Sequence, residues 1–386
     1  MSELKYEITN GKITIYLEGR IDSQNAQTVE VMFNEVLESK AFSVVSLNCK
    51  GLEYISSAGL RIVLKLMKKY NVEIVDTSIE IYEIFEMTGF TQLVKVKKAY
   101  KNYDVTGCPV IGEGAKGIVY RYNDDTVIKV YKRTDVLPLI ERERNLARKA
   151  FILGIPTAIS YDVVKVGDNY ASVFELLDSN SLSNLINQNK EEIPKYAKEF
   201  STLLKLLHTT VVPDVSDMDR GISKIYGWYD RFKSYLDIET DTKIRGLIEN
   251  ITEPHTLIHG DYHTNNVMIQ NGEAILIDMD TLSYGNPIME LANIDFSFDN
   301  DFEEDNSIRF LGITRSDAKA FYDEFLKDYF ADKSEEELKD ILNRIKLASY
   351  FRSANHFIRR NADKEIIDGI IGEITRLSKS VNDMNI

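Results

Sequence analysis

An Asn-Gly pair between two short apolar runs restricts the folding of this chain more than any other stretch. Residues 267–270 (Val-Met-Ile-Gln) and 273–277 (Glu-Ala-Ile-Leu-Ile) flank Asn271-Gly272, and a two-residue Asn-Gly connection is the strongest short-range signature of a type I′ hairpin. Closing that hairpin sets Asn266 opposite Ile277 and beside Asp278, so two oxygen-bearing side chains meet at one end of a ribbon. An amide and a carboxylate suit a magnesium-like cation, which takes one or two carboxylates and completes its shell with phosphate or water oxygens. Asp261 precedes them by a short loop, in His259-Gly-Asp261, where it can orient or deprotonate an attacking hydroxyl. Alone, the hairpin is equally compatible with acidic residues that only cap turns, and the rest of the chain decides.

A chain of 386 residues has room for two or three domains. No run approaches the roughly 18 apolar residues of a membrane span, and Met1-Ser-Glu-Leu-Lys-Tyr6 lacks the basic and apolar segments of a signal peptide. A cytoplasmic chain with no membrane partner is expected. Cys49 and Cys108 have no metal-ligand spacing and read as thiols. The net charge is −14, and residues 1–100 carry only −1 of it, with 12 Lys and Arg against 13 Asp and Glu. So acidic a second part excludes nucleic acid as an expected partner, because phosphate binding needs a basic face. The acidic run Asp299–Asp305 reads as a solvated loop.

The first hundred residues alternate strand and helix. Lys5–Thr9 and Lys12–Glu18 flank a second hairpin turn, Asn10-Gly11. A helix is expected over residues 25–38 from the stripe Val29, Met32, Phe33, Val36 and Leu37, then a strand at 42–47, a helix at 57–70, a strand at 72–75, a helix at 78–87 and a last strand at 93–96. That pattern makes an α/β sheet with helices packed on it. Its order, with Tyr54-Ile-Ser-Ser-Ala-Gly-Leu-Arg-Ile-Val63 at a strand-to-helix turn, resembles the STAS domain of anti-sigma factor antagonists. The resemblance implies an anti-sigma-like protein partner and, by alignment on Gly59-Leu60, a phosphorylatable serine at Ser57. The family's preceding Asp is replaced here by Ser56, and Ala58 follows. A phosphate on Ser57 would sit at a helix start, among free N–H groups.

The second part opens with Ile111-Gly-Glu-Gly-Ala-Lys-Gly-Ile-Val-Tyr-Arg-Tyr122. Gly112, Gly114 and Gly117 fit GxGxxG, which carries little alone. A dinucleotide fold needs a helix next, whereas Ile118–Tyr122 is β-branched and aromatic and is followed by Asn123-Asp-Asp and another strand, Thr126–Tyr131. Strand, glycine loop, strand, turn, strand is the kinase order, with Lys129 in the third strand on the phosphates and a glutamate from the next helix holding it. Glu143 shares a helix face with Ala147, Ala150 and Phe151, while Glu141 falls on the outward face, so Glu143 is the expected partner.

With these residues in order, residues 106–386 resemble the kinase-like phosphotransferases of the aminoglycoside phosphotransferase and choline kinase superfamily. His-Gly-Asp in place of His-Arg-Asp, and Ile-Asp-Met-Asp in place of Asp-Phe-Gly, favour this branch over the eukaryotic protein kinases. The resemblance implies ATP, Mg2+ and transfer of the γ-phosphoryl group to a hydroxyl acceptor. By position, Asp261 is the catalytic base, Asn266 and Asp278 the metal ligands and Lys129 the phosphate ligand. Gly112, Gly114, Gly117 and Val119 cover the nucleotide, and Glu175-Leu-Leu177 forms the adenine hinge. The expected architecture has two domains, α/β then α+β: a STAS-type sheet with helices over 1–102 and a bilobal kinase-like fold over 103–386, its N-lobe at about 103–177 and its helical C-lobe at about 178–386. Ile222–Leu236, rich in aromatics, is expected as lobe packing, and His263 as a scaffold residue. The alternative reading is a nucleotide-binding pseudokinase scaffold in partner switching, which as a rule lacks one of the polar groups present here.

Overall fold

The computed structural model describes residues 4–114, 116–177, 179–303 and 305–386, so Ala115 of the glycine loop and Glu304 of the acidic run lie outside the described residues. The chain divides into two compact units, one of residues up to 104 with 164–167, the other of 105–163 and 168–386.

In the first unit β1 (Lys5–Thr9) and β2 (Lys12–Ile21) form the hairpin expected at Asn10-Gly11, whose φ values of 51° and 75° suit a type I′ turn. Then follow α1 (Ala26–Glu38), β3 (Val44–Ile55), α2 (Ser57–Lys69), β4 (Val72–Thr77), α3 (Ile79–Met87) and β5 (Val96–Lys98). The sheet runs β1-β2-β3-β4-β5 and is parallel except between β1 and β2. Ile13, Ile15, Val45 and Leu47 from two strands pack with Phe33, Val63 and Phe85 from the three helices. Two elements differ from expectation. β3 starts at Val44 and continues to Ile55, because its second half pairs with Glu18–Ile21 of β2; Asn48, Lys50 and Glu53 hid that half from an apolar pattern. β5 begins only at Val96, since Phe90–Gln92 forms a 3-10 turn whose Phe90 ring packs 5.6 Å from that of Phe85.

The next sheet, whose residues fall in the second unit apart from 164–166 of β9, is formed by β6 (Val110–Glu113), β7 (Gly117–Arg121), β8 (Thr126–Tyr131), β9 (Asp162–Val166) and β10 (Asn169–Glu175), with α4 (Leu137–Ile152) between β8 and β9, in the order β6-β7-β8-β10-β9. Lys129 thus lies on the central strand. The chain continues through β11 (Asn180–Ser181), α5 (Leu182–Gln188), α6 (Ile193–Thr209), β12 (Asp219–Arg220), α7 (Ile222–Phe232), α8 (Ile238–Glu249) and β13 (Leu257–Ile258). The hairpin strands β14 (Val267–Gln270) and β15 (Glu273–Leu276) come next, then β16 (Ser283–Tyr284), α9 (Ile288–Phe298), α10 (Asn306–Leu311), α11 (Arg315–Tyr329), α12 (Glu335–Arg359) and α13 (Lys364–Ser378). Asn271 and Gly272 take φ of 53° and 86°, and the register pairs Val267 with Leu276 and Gln270 with Glu273.

The helical lobe packs around Phe200 of α6, whose ring meets those of Tyr262, Phe298, Phe321 and Phe325 at centroid distances of 4.4 to 6.1 Å. Trp228, Tyr229 and Phe232 of α7 are buried in the same core, as lobe packing requires. α7 ends at Phe232, short of Leu236, and a 3-10 turn over Lys233–Tyr235 follows. Ser334 and Glu337 form the capping box that opens α12. Among the described residues, no helix is long and apolar enough to cross a membrane.

In the first unit, Gly59 makes the tightest approach. A Cβ there would stand 2.7 Å from Ile55 Cγ1 and 2.8 Å from Ile21 Cγ2, both on buried residues at strand ends. Gly59→Ala is expected to destabilise this unit by about 1–3 kcal/mol through overpacking, read as a lower urea midpoint for its transition. An unchanged midpoint would show that the strand ends yield freely.

Candidate active site

The hairpin joins the two residues at its open end. The Ile277 N–H donates to the Asn266 carbonyl at 3.0 Å, which sets Asn266 beside Asp278. Asn266 Nδ2 donates to the Asp261 carbonyl at 2.9 Å, which leaves its Oδ1 as the group for a ligand. Asp278 itself sits at φ 61°, ψ 63°, a left-handed conformation rare for a non-glycine residue and frequent at functional sites.

Lysines from the sheet lobe reach this end. Lys129 Nζ lies 3.3 Å from Asp278 Oδ1 and 3.4 Å from Glu143 Oε1. Burial opposes the charge on Lys129, but Glu143, Tyr131 and Asp278 outweigh it and hold the ammonium above its ordinary pKa. Lys116 Nζ lies 3.7 Å from Asp278 Oδ2 and also pairs with Asp280. Burial likewise pushes Asp278 up, but Lys129 and Lys116 prevail and keep it below the usual carboxylate range. Of the two helix glutamates, the one sharing a face with Ala147 is thus the one at the lysine.

The loop carrying Asp261 is anchored from beneath. Glu290 of α9, fully buried, accepts the His259 N–H at 2.6 Å and the Gly260 N–H at 2.8 Å. His259 Nε2 lies 3.1 Å from the Ile277 carbonyl, and the Tyr262 hydroxyl donates to the Phe200 carbonyl at 2.7 Å. Above these anchors the Asp261 side chain keeps 55% of its exposure, with His263 Nε2 at 3.7 Å from Oδ2. His263 Nδ1 accepts the Asn265 N–H at 3.2 Å, the scaffold role expected of it. Burial pushes Asp261 up, yet His263, His259 and Lys116 outweigh it and the carboxyl is lowered to about 2.

The cleft between sheet and helices has a volume of about 910 Å³ and is lined by Gly112, Val119, Lys129, Leu177, Met268 and Asp278 among others. Val119 faces it from the position opposite Lys129 in the β7–β8 register. Of the three glycines, Gly117 is the one required by space, since a Cβ there would meet the Val130 carbonyl oxygen at 2.5 Å, while nothing lies within 4 Å of one at Gly114. The Leu176 N–H donates to the Asp125 carbonyl at 2.7 Å, so in an extended chain the Leu177 N–H and Glu175 N–H face the other way. Glu175 and Leu177 both line the cleft.

Sequence reasoning missed Lys116, Glu290, Tyr262 and Asp280. Two signals were available: a lysine inside the glycine loop, and a charge in the apolar run Ile288-Met-Glu-Leu-Ala292. Ser57 belongs to the first unit. It is exposed at the first position of α2, and the cap is Ser56, whose Oγ accepts from the Ala58 and Gly59 N–H groups at 3.2 and 3.4 Å.

The model of the phosphotransferase enzyme family matches residues 108–337, and that of the STAS domain matches residues 3–103. No curated protein matches the chain. Similar solved structures include ADP-bound aminoglycoside phosphotransferase APH(2'')-Ib, at 18% identity and TM-score 0.45, covering 76% of this chain and 97% of that one. A choline/ethanolamine kinase family protein from Mesorhizobium loti is 13% identical, with TM-score 0.44 over 70% of this chain and 87% of that one. The anti-sigma factor antagonist SpoIIAA in its unphosphorylated form is 17% identical, with TM-score 0.23 over 25% of this chain and 88% of that one. The first unit is a STAS-type sheet with helices and the second a bilobal kinase-like fold. With its model matching more than half of the sequence, the chain belongs to the phosphotransferase enzyme family and carries a STAS domain ahead of the phosphotransferase domain.

Proposed function

We propose that the second unit transfers the γ-phosphoryl group of ATP to a hydroxyl acceptor, with the STAS domain as a regulatory, partner-binding module. The observation that carries this is the meeting of Lys129, Glu143, Asn266 and Asp278 at one end of the cleft, with Asp261 carried on the adjoining loop. Glu143 holds Lys129 toward the phosphates, and the glycine loop lays its backbone and Lys116 over them. The acceptor oxygen attacks the γ-phosphorus as the bond to the β,γ-bridging oxygen breaks. ADP leaves with that electron pair, and the hydroxyl proton passes to Asp261. An ionised Asp261 is ready to accept it, and its low pKa makes orientation its larger contribution, as suits a loose transition state.

Asn266 and Asp278 fit magnesium. Their donors are a hard amide oxygen and a carboxylate, and among the described residues no group of three or more His, Cys, Asp or Glu offers a rival site. Magnesium held there would neutralise phosphate charge.

Asp261→Ala and Asp278→Ala are each expected to lower acceptor-dependent ADP release at least about a hundredfold; unchanged turnover in both would sink the assignment. Firm ATP binding without turnover across acceptors would favour the scaffold reading. The sign of the Asp261 shift gives a second expectation. A carboxyl held at about 2 stays charged at every higher pH, so kcat/KM has no acid limb from this group between about pH 5 and about pH 8. A limb in that window that moves in His263→Ala would contradict it. For the STAS domain, we propose that the exposed Ser57 accepts phosphate from the kinase-like unit, in cis or from a second copy. Incubation with magnesium ATP should add one phosphate there by mass spectrometry, and an unmodified Ser57 would argue against it.

A further inference from the structure

Two half-buried cations lie beside the Asp261 loop with no carboxylate within 4 Å among the described residues. Lys224 of α7 donates to the Gly260 carbonyl at 3.1 Å. Asn293 of α9 donates to the same carbonyl at 3.4 Å, and Arg352 of α12 gives its Nε to Asn293 Oδ1 at 3.2 Å while its guanidinium lies 4.5 Å from the Phe296 ring centroid. Both cations are therefore tied to one backbone oxygen, that of the residue before Asp261.

The nearby acids are already served. Glu290 accepts two backbone N–H groups, Asp278 and Asp280 are met by Lys116 and Lys129, and Asp261 is met by His263. Farther along α12, Arg360 and His356 gather with Arg309 of α10 on Glu303, apart from Lys224 and Arg352. Burial pulls Lys224 and Arg352 below their ordinary pKa values, against the longer-range pull of Glu290, Asp261 and Asp280 on Lys224 and of Asp261 on Arg352. A half-buried cation without an anion is costly unless something supplies one. In a unit whose charge is strongly negative, two such cations at the base are a local exception.

Resting on the phosphotransferase reading above, we infer that Lys224 and Arg352 bind an anionic group of the acceptor, a small hydroxyl-bearing phosphate ester or carboxylate. Its hydroxyl meets Asp261 while its anion, a few bonds away, meets the two cations. The guanidinium keeps its terminal N–H groups for a planar or tetrahedral oxyanion, since only Nε is engaged. A small acceptor is favoured because both cations are linked to one backbone oxygen, Lys224 directly and Arg352 through Asn293.

The test is calorimetric titration of the full chain, saturated with magnesium and a non-hydrolysable ATP analogue, with glycerol 3-phosphate, glycerate, glycerol, choline and a Glu-Ser-Glu peptide. Glycerol 3-phosphate or glycerate is expected to bind at least about tenfold more tightly than glycerol and choline, and the better of the two identifies phosphate or carboxylate. Arg352→Gln and Lys224→Met should each weaken that binding about tenfold or more, with analogue affinity as the folding control. Tighter binding of choline or the peptide, equal binding of all five, or anion binding untouched in both variants would overturn the inference. Failure of the wild-type chain to bind the analogue would instead sink the phosphotransferase reading beneath it.

Discussion

A carboxylate with no exposure to solvent holds the site in shape. Glu290 accepts from two consecutive backbone N–H groups, those of His259 and Gly260, and its charge makes each of those bonds worth more than a neutral one. Because both amides are turned inward, the Gly260 carbonyl is turned toward Lys224 and Asn293, and Asp261 is carried out to solvent. A neutral side chain at position 290 would leave two buried donors to compete for one acceptor, and the loop would lose its single orientation. Tyr262 adds a second anchor: a ring set among the aromatics around Phe200, with its hydroxyl on the Phe200 carbonyl.

Around this fixed loop the charges form two groups with different partners. On the cleft side, Lys129 and Lys116 converge on Asp278, and Glu143 steadies Lys129 from behind. These contacts are close, and the lysines can meet phosphate oxygens as readily as carboxylate oxygens. Lys224 and Arg352 donate to neutral oxygens, the Gly260 carbonyl and Asn293 Oδ1. The loop thus lies between cations in contact with carboxylates and cations that, among the described residues, have none within 4 Å.

The hairpin and the Lys129–Glu143 pair were legible from local pattern because each depends on one rule: turn chemistry at Asn271-Gly272, and a shared helix face for Glu143, Ala147 and Ala150. The STAS and kinase-like resemblances rested on motif order, and the matching family models agree with them. What escaped were contacts set by tertiary packing. Nothing in the local pattern of Ile288–Phe298 says that Glu290 will face two amides about thirty positions earlier, and Tyr262 reads only as another apolar residue. β3 was cut short for a similar reason: its polar second half is a strand because β2 is long enough to pair with it. The glycine loop showed the opposite error, since its three glycines look equivalent in sequence and only Gly117 is held there by space.

The hairpin also restricts how this cleft can close. Leu276 of β15 donates to the Pro156 carbonyl at 2.8 Å, its own carbonyl accepts from Thr157 Oγ1 at 2.8 Å and from the Ala158 N–H at 3.2 Å, and this segment directly follows α4. The segment that follows the helix carrying Glu143 is therefore tied by three hydrogen bonds to Leu276, the last residue of β15. A hinge motion separating that segment from the hairpin would have to break them together. In the β6–β7 loop, the Lys116 side chain reaches Asp278 and Asp280 from an exposed position and its carbonyl accepts the Lys132 N–H at 3.0 Å.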